Sequence, residues 1–424
     1  MQLRILFFLF FATGLYAQEA PVKVLDEKEV NFLFNYYEQD GNHSPVTGGI
    51  GTEKLQCIAP LTTIHVPFDT INDLSVNFGI DYYTSASCDR IDRFVSSASS
   101  RFLSSASSND VRTHFDIDYS RKNLKRNSSR GYLVGFSNEF DVNSISAGYH
   151  YTKSLNNENT DFGLKANLYY DIWKLIYPAE IRDGIKYRFG NEEMDYDLDH
   201  RITTSFSFSW AQVLTKKLQF LFVTDIVYQN GILNTPFHRV YFDDGLNILN
   251  PDTNYFLIAK TMMPENMPRS RYKIPLGIRL NYYLSDHITT RLYYRYYFDD
   301  FGIVSHTASI EVPIKIGSAV VVYPLYRYYV QTASTYFAPF GEHQLDSNYK
   351  PVDTYYTSDY DLSAFTMQKY GMGLRISPVE GIKKWKLPYN YKLTFKYIDF
   401  RYVYYDRSDG LKASSFSFDF GFVF

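Results

Sequence analysis

The chain has 424 residues, and 43 Lys and Arg against 46 Asp and Glu give a formal charge of −3. This near balance argues against a nucleic-acid binder, because such proteins need a basic surface that displaces counterions from phosphates. Two cysteines exclude a disulfide-stapled scaffold and a multi-cysteine metal site. No window reaches about 18 consecutive apolar residues, which excludes a helical membrane protein. With 40 Tyr and 34 Phe to place, an all-β fold remains open.

The first 17 residues have the pattern of a secretory signal peptide. Arg4 precedes the apolar run 5–11, and Ala17 supplies a small residue before the expected cut. A buried N-terminal helix is the alternative. Cleavage after Ala17 places the mature chain in an oxidising compartment, and no cysteine follows the cut as in a lipoprotein. We predict a signal peptide over 1–17, a short periplasmic segment over 18–29 and a barrel over 30–424.

The C-terminal segment shows the clearest two-residue period. Phenylalanine occupies every second position from Phe416 to Phe424, and mostly small or polar residues lie between. A soluble sandwich also alternates, but its apolar face is rarely so uniformly large, whereas lipid can cover a face of this kind. Similar runs predict an antiparallel up-and-down transmembrane β-barrel of about 16 strands, with 14 to 18 possible and no plug domain. The predicted strands are 30–37, 55–67, 73–84, 110–121, 130–138, 142–152, 161–171, 201–214, 217–228, 271–284, 287–298, 302–316, 318–331, 368–377, 389–404 and 412–424.

The connections between these strands provide an independent test. Connections after even-numbered strands are mostly tight, whereas those after strands 3, 7, 9 and 13 are long. This parity is typical of an outer-membrane barrel that begins in the periplasm. Tyr-Tyr doublets, such as Tyr82-Tyr83 and Tyr328-Tyr329, fall near the predicted outer ends, where interfacial aromatic girdles form.

If the apolar residues face lipid, the residues between them face the lumen. The early strands then supply an acidic wall and the later strands a basic wall, which sets a transverse field across a water-filled bore. The alternative is a closed lumen in which these charges form salt bridges. The predicted lumen residues are Asp81, Arg112, His114, Asp116, Asp118, Lys273, Arg279, Arg291, Arg295, Glu311, Lys315, Arg327, Arg375, Lys392 and Lys396.

Other candidate sites are weaker. No G-x-S-x-G or H-E-x-x-H motif is present, and the histidines have no partner at a catalytic spacing, so we expect no enzyme. The alternation of Asp195, Asp197 and Asp199 permits Ca²⁺ at an outer loop, although a solvated acidic loop is the simpler interpretation. No other cofactor is expected. Cys57 and Cys88 fall near one rim, where either a disulfide or two free thiols fit.

Four segments of the chain resemble the domain-of-unknown-function family 3570. They are DGNHSPVTGGIGTE (40–53), DYYTSAS (81–87), WKLIYP (173–178) and NTPFHRVY (234–241). The resemblance covers nearly the whole mature chain and implies an outer-membrane barrel of Gram-negative bacteria without an established substrate. It also implies a neighbouring periplasmic flavin transferase and a small lipoprotein, and thus a link to electron transfer or export. It assigns no catalytic residues.

We therefore predict an outer-membrane barrel that passes a small solute through a charged lumen. The alternative is a loop-plugged scaffold that docks a lipoprotein or surface partner, and an enzyme built on the barrel is a third possibility. Expected partners are membrane lipid, lipopolysaccharide and the barrel assembly machinery. This machinery binds the last strand of such barrels through its C-terminal aromatic residue, which here is Phe424. Nucleic acid is not expected.

Overall fold

The computed structural model describes residues 27–84, 110–178, 197–245, 261–388 and 392–424. Two 3-10 turns lie at Pro45–Thr47 and Tyr360–Leu362. Within this part of the chain, no helix is long and apolar enough to cross a membrane. The strands are β1 Glu29–Asp40, β2 Leu55–Pro67, β3 Asn72–Tyr83, β4 Asp110–Asn123, β5 Ser128–Asn138, β6 Val142–Leu155, β7 Thr160–Lys174, β8 Leu198–Thr215, β9 Leu218–Gly231, β10 Arg239–Asp243, β11 Met262–Pro264, β12 Ser270–Ser285, β13 Ile288–Asp299, β14 Val304–Glu311, β15 Ile314–Ile316, β16 Val320–Gln331, β17 His343–Gln344, β18 Phe365–Ile376, β19 Lys383–Lys386, β20 Lys392–Arg407 and β21 Lys412–Val423.

Eighteen of these strands form one antiparallel sheet that closes on itself, because β1 pairs with both β2 and β21. β14 and β15 follow one another along β16, and β18 and β19 follow one another along β20. Each of these pairs is one interrupted barrel strand, so the ring has sixteen strands, as predicted. Closure leaves no unpaired edge, which a sheet in lipid requires.

The two faces of the sheet differ in character. At the seam, Phe32 pairs with Phe420 and Phe34 with Phe418, and all four rings lie on the outer surface of the ring. The residues between them, such as Asn31 and Asp419, face inward. Exposed apolar surface costs about 25 cal/mol per Å² in water, and lipid removes this cost along the whole outer belt. The predicted alternation of a lipid face and a lumen face is therefore present.

Two strand predictions need correction. Residues 302–316 are predicted as one strand, but it is interrupted between Glu311 and Ile314. Pro313 causes this break, because proline has no N–H to donate to a ladder. The predicted strand 368–377 ends as β18, but pairing to β20 resumes at Lys383. The bend at 377–382 separates the two parts. Beyond the bend, β19 and β20 form a hairpin that extends past the neighbouring turn at 317–319.

The two ends of the barrel also differ. We call the end that carries Glu29 and Val423 the inner end and the opposite end the outer end. The connections 68–71, 124–127, 156–159, 216–217, 286–287 and 317–319 at the inner end are short, as the parity of the sequence predicts. Each Tyr-Tyr doublet places one ring on each face: Tyr82 lies on the outer surface, whereas Tyr83 is buried inside. Only half of the doublet rings therefore belong to the outer girdle.

Candidate functional site

The middle of the barrel has an open, charged interior. Arg279 lies between the outward residues Ile278 and Leu280 and therefore points inward, and yet it is exposed. Arg327 and Arg401 are likewise inward and exposed. A guanidinium that is exposed on the inner face of a closed ring faces the bore, where its charge keeps contact with water. The lumen is therefore hydrated at this level.

The early wall carries the predicted acidic residues, which are partly paired with bases. Asp81 lies 3.5 Å from the Arg112 guanidinium and 3.8 Å from His114 Nε2. Asp118 lies 3.6 Å from His150 Nε2. Asp116 points inward on the same strand, β4. The structure thus brings the four predicted acidic and histidine positions of this wall together on β3 and β4.

The late wall is basic along its whole height. Arg291 binds Glu311 at 2.7 Å, and Arg401 lies 3.7 Å from the same carboxylate. Arg375 lies 3.8 Å from Asp399. Arg295, Lys273 and Lys315 also point inward. Lys392 and Lys396 lie closer to the inner end of the barrel, on β20. Lys396 falls at a bulge of β20 and binds Glu27 at 2.9 Å.

Several inward side chains lie flat against the wall over a glycine of the neighbouring strand. A Cβ at Gly79 would lie 2.2 Å from His114 Nε2, and one at Gly131 would lie 1.7 Å from His150 Nε2. A Cβ at Gly421 would likewise lie 2.1 Å from the Tyr397 ring. These large side chains therefore lie along the wall rather than across the bore.

The outer end of the lumen is packed instead of hydrated. Leu55, Cys57 and Tyr83 face inward near this end and are all buried. Phe237, from the connection between β9 and β12, packs against these three residues. β9 is six to seven positions away from β2 and β3 in a ring of sixteen strands, so this connection crosses most of the outer mouth.

Three outer loops interlock to form what we call the cap: residues 41–54, the described parts of 232–269, and 332–364. The Arg239 guanidinium donates to the Val46 carbonyl oxygen at 2.6 Å. The His43 ring stacks on Tyr360 with the centroids 3.8 Å apart. β10 pairs with β11 and, in parallel, with β17, which joins the second loop to the third. Every pair of cap loops is therefore in direct contact.

The cap is also fastened to the barrel rim. Arg407, at the outer end of β20, donates to Asp361 at 2.7 Å and to the Tyr360 carbonyl oxygen at 3.1 Å. Gln331 Nε2 donates to the Asp361 and Ser363 carbonyl oxygens at 2.8 and 2.6 Å. These bonds attach the loop 332–364 to the outer ends of β16 and β20.

A buried carboxylate lies at the centre of the cap. Glu265 accepts hydrogen bonds from the Thr235 N–H at 2.8 Å and from the Thr357 hydroxyl. Burial raises the pKa of the Glu265 carboxyl to about 8, and the nearby Asp359 adds to this rise, whereas the two hydrogen bonds oppose it. Glu265 therefore links the second and third cap loops through a group that titrates near neutral pH.

Three further predicted sites are only partly described. Cys57 is buried in the wall, and Cys88 lies outside the described residues, so their disulfide stays a prediction. Asp195 also lies outside them, while Asp199 accepts two bonds from Arg269 at 2.7 and 2.9 Å. Within the described ranges, no group of three or more acidic, histidine or cysteine residues has a metal-binding arrangement. The signal segment and its cleavage likewise lie outside the described part.

The cap is the feature that strand periodicity did not predict. Arg239 and Glu265 lie in loops, where no period marks a residue as buried. The available signal was the family-like segments: 40–53 and 234–241 meet in the cap, and Tyr83 of segment 81–87 contacts both through Val46 and Phe237.

Comparisons with known proteins identify a family and several distant structural neighbours. No curated protein matches the chain. A bacterial polysaccharide outer-membrane secretin has 8% identity and a TM-score of 0.45, covering 95% of this chain and 100% of its own. The outer-membrane protein OpdK from Pseudomonas aeruginosa has 6% identity and a TM-score of 0.37, covering 95% and 100%.

The siderophore receptor PirA from Acinetobacter baumannii has 10% identity and a TM-score of 0.42, covering 91% of this chain and 54% of its own. The chain thus spans about half of the length of this receptor. At these values none of the three similarities carries an activity over to this chain. The family model described as "Protein of unknown function (DUF3570)" matches residues 10–392. The chain therefore belongs to the DUF3570 family, and its fold is a sixteen-stranded transmembrane β-barrel of the outer-membrane type.

Proposed function

We propose that this protein is an outer-membrane channel for a small solute, and that the cap acts as its gate. The observation that carries the proposal is the hydrated row of inward arginines, among them Arg279, Arg327 and Arg401. A barrel used only as a rigid support gains nothing from exposed charges in its interior. Sixteen strands enclose a space wide enough for an aqueous path.

The closed outer end gives the channel its regulation. Loops rather than a separate domain close the mouth, and their mutual contacts are a few polar bonds and small apolar clusters. Loops held in this way open at a lower free energy than the barrel strands. The proposed location is the outer membrane, with the inner end in the periplasm after cleavage following Ala17.

Single-channel conductance in a planar bilayer tests the proposal. The double variant Phe237→Ser/Arg239→Gln removes the apolar anchor and the bond to Val46, so we expect steady open steps where the wild type opens briefly and rarely. The matched control is Asp243→Cys/Gln344→Cys, since these exposed residues are direct partners in the β10–β17 pair and suit a disulfide. The oxidised control should stay closed and recover wild-type openings on reduction.

The proposal is contradicted if the double variant shows no conductance although its heat-modifiable electrophoretic mobility shows that it is folded. This result would favour the second candidate, a scaffold barrel that docks a lipoprotein or surface partner. The interlocked cap is the observation that favours this second candidate, because its loops hold one another over the outer mouth.

A further inference from the structure

The inner wall contains a pair of unsatisfied donors on neighbouring strands. Arg295 of β13 and Thr307 of β14 are direct partners in the ladder. Within the described residues, Arg295 Nε and Thr307 Oγ1 are both buried atoms without a hydrogen-bond partner, and Thr307 is only 5% exposed. A buried donor without a partner is costly, by about 1–3 kcal/mol, and an acceptor that reached this pair would relieve the cost.

The surroundings of this pair are basic. Arg279 lies two residues from Gly277, the partner of Arg295, and Arg327 lies two residues from Tyr329, the partner of Thr307. Two residues along a strand span about 7 Å, so both guanidiniums lie one step below the donor pair on the same wall. The inward positions of these two steps on β12, β13, β14 and β16 contain these arginines, hydroxyl residues and one glycine, but no carboxylate.

The inward carboxylates of β13 and β14 are already engaged by other bases. Glu311, on the next step down, binds Arg291 at 2.7 Å. Asp299, two inward steps up from Arg295 on β13, binds Arg271 at 2.5 Å. Neither acid is therefore available to neutralise the group around Arg295, and its natural complement is a ligand with negative oxygens.

We propose that Arg279, Arg295, Arg327 and the Thr307 hydroxyl form an oxyanion-binding site in the lumen. Guanidinium groups bind carboxylate and phosphate through paired, charge-assisted hydrogen bonds, and the hydroxyl supplies a further donor. The separation of about 7 Å between the two steps suits a small solute with two or more negative groups. This site deepens the proposed channel function, since it names the class of solute as small polyanions that carry carboxylate or phosphate groups.

Calorimetric titration of the purified, folded barrel in detergent at low ionic strength tests the site without requiring conduction. The probes are citrate and inorganic phosphate. We expect saturable binding of at least one, weakened about tenfold or more by Arg295→Gln and measurably by the nearly isosteric Thr307→Val. Arg291→Gln is the matched control, because this inward arginine of the same strand is engaged by Glu311 and should leave affinity unchanged.

Citrate binding alone would assign the site to carboxylates, and phosphate binding alone would assign it to phosphate groups. The site is disproved if the wild type binds neither probe, or if Arg295→Gln and Thr307→Val bind as the wild type does. A barrel that conducts but shows no such binding would retain the channel proposal and lose this one.

Discussion

At the scale of single residues, the inner wall depends on glycines that accept a neighbouring side chain. Tyr397 lies across Gly421, and its hydroxyl donates to Asp419 at 3.1 Å and to Asn31 at 3.2 Å. One tyrosine thus links three adjacent strands, β20, β21 and β1, at the seam that closes the ring. The glycine is required because a Cβ would occupy the space of the ring.

This packing predicts that Gly421→Val destabilises the barrel. A Cβ at Gly421 would lie 2.1 Å from the ring, so Tyr397 must leave the wall and lose both hydrogen bonds. We expect a loss of about 2–4 kcal/mol, seen as a lower midpoint of heat-modifiable unfolding. Gly277→Ala is the control, since its Cβ would come no closer than 3.3 Å to its nearest neighbour, the Tyr293 side chain. Equal midpoints for the two variants would argue against the role of Gly421.

At the scale of elements, the cap is the part whose stability is most open to regulation. Its second and third loops meet at Glu265 and Thr357, which are both buried. Burial raises the pKa of Glu265 in the folded cap to about 8, whereas a glutamate in an unfolded chain has its ordinary pKa of about 4.5. Between these values the folded cap binds more protons than the open cap, so rising pH destabilises it.

The expected result is a cap that is most protected near pH 5 and least protected above pH 8. The slope is at most about 1.4 kcal/mol per pH unit. Hydrogen exchange of the segments around Thr235 and Thr357, corrected for intrinsic rates, measures this protection. Glu265→Gln should flatten the profile, whereas Glu342→Gln, an exposed acid of the same cap, should not. An unchanged slope in Glu265→Gln would contradict the assignment.

At the scale of the whole molecule, closure of the ring joins the two ends of the chain. β1 pairs with β21 over twelve residues, and the Phe424 N–H donates to the Lys28 carbonyl oxygen at 3.0 Å. The exposed Phe424 ring extends the outward phenylalanine row to the inner end. The last strand is therefore both the closing strand and the proposed signal for the assembly machinery.

We expect Phe424→Ala to lower the amount of folded barrel in the outer membrane severalfold, because an assembly reader would lose its terminal aromatic. Phe424→Tyr retains the ring and should assemble normally. Quantification of the heat-modifiable form in outer-membrane fractions measures the effect. Refolding of purified Phe424→Ala into lipid vesicles with wild-type yield would separate an assembly defect from a stability defect. If cells contain as much folded Phe424→Ala barrel as wild-type barrel, Phe424 is not an assembly signal.

Residue patterns alone were enough to predict most of the barrel wall. The run from Phe416 to Phe424 specified its own strand and both of its faces, since consecutive side chains of a strand point to opposite sides. The same rule predicts Asp81, Arg279 and Arg327 on the inner face, where the structure has them. The corrections fall where this local rule is interrupted, as at Pro313, or resumes after a bend, as at Lys383.

The sequence by itself therefore predicted a barrel of about sixteen strands, their up-and-down order and their two faces, because a membrane barrel repeats one local alternation between lipid and lumen. Only the tertiary structure showed that three loops interlock over the outer mouth and that, among the described residues, Arg295 Nε and Thr307 Oγ1 lie on neighbouring strands without a hydrogen-bond partner. The cap is built from contacts between residues distant in sequence, such as Arg239 with Val46 and Glu265 with Thr357. Loop residues carry no periodicity, so their burial follows from where the folded ring brings the loops together.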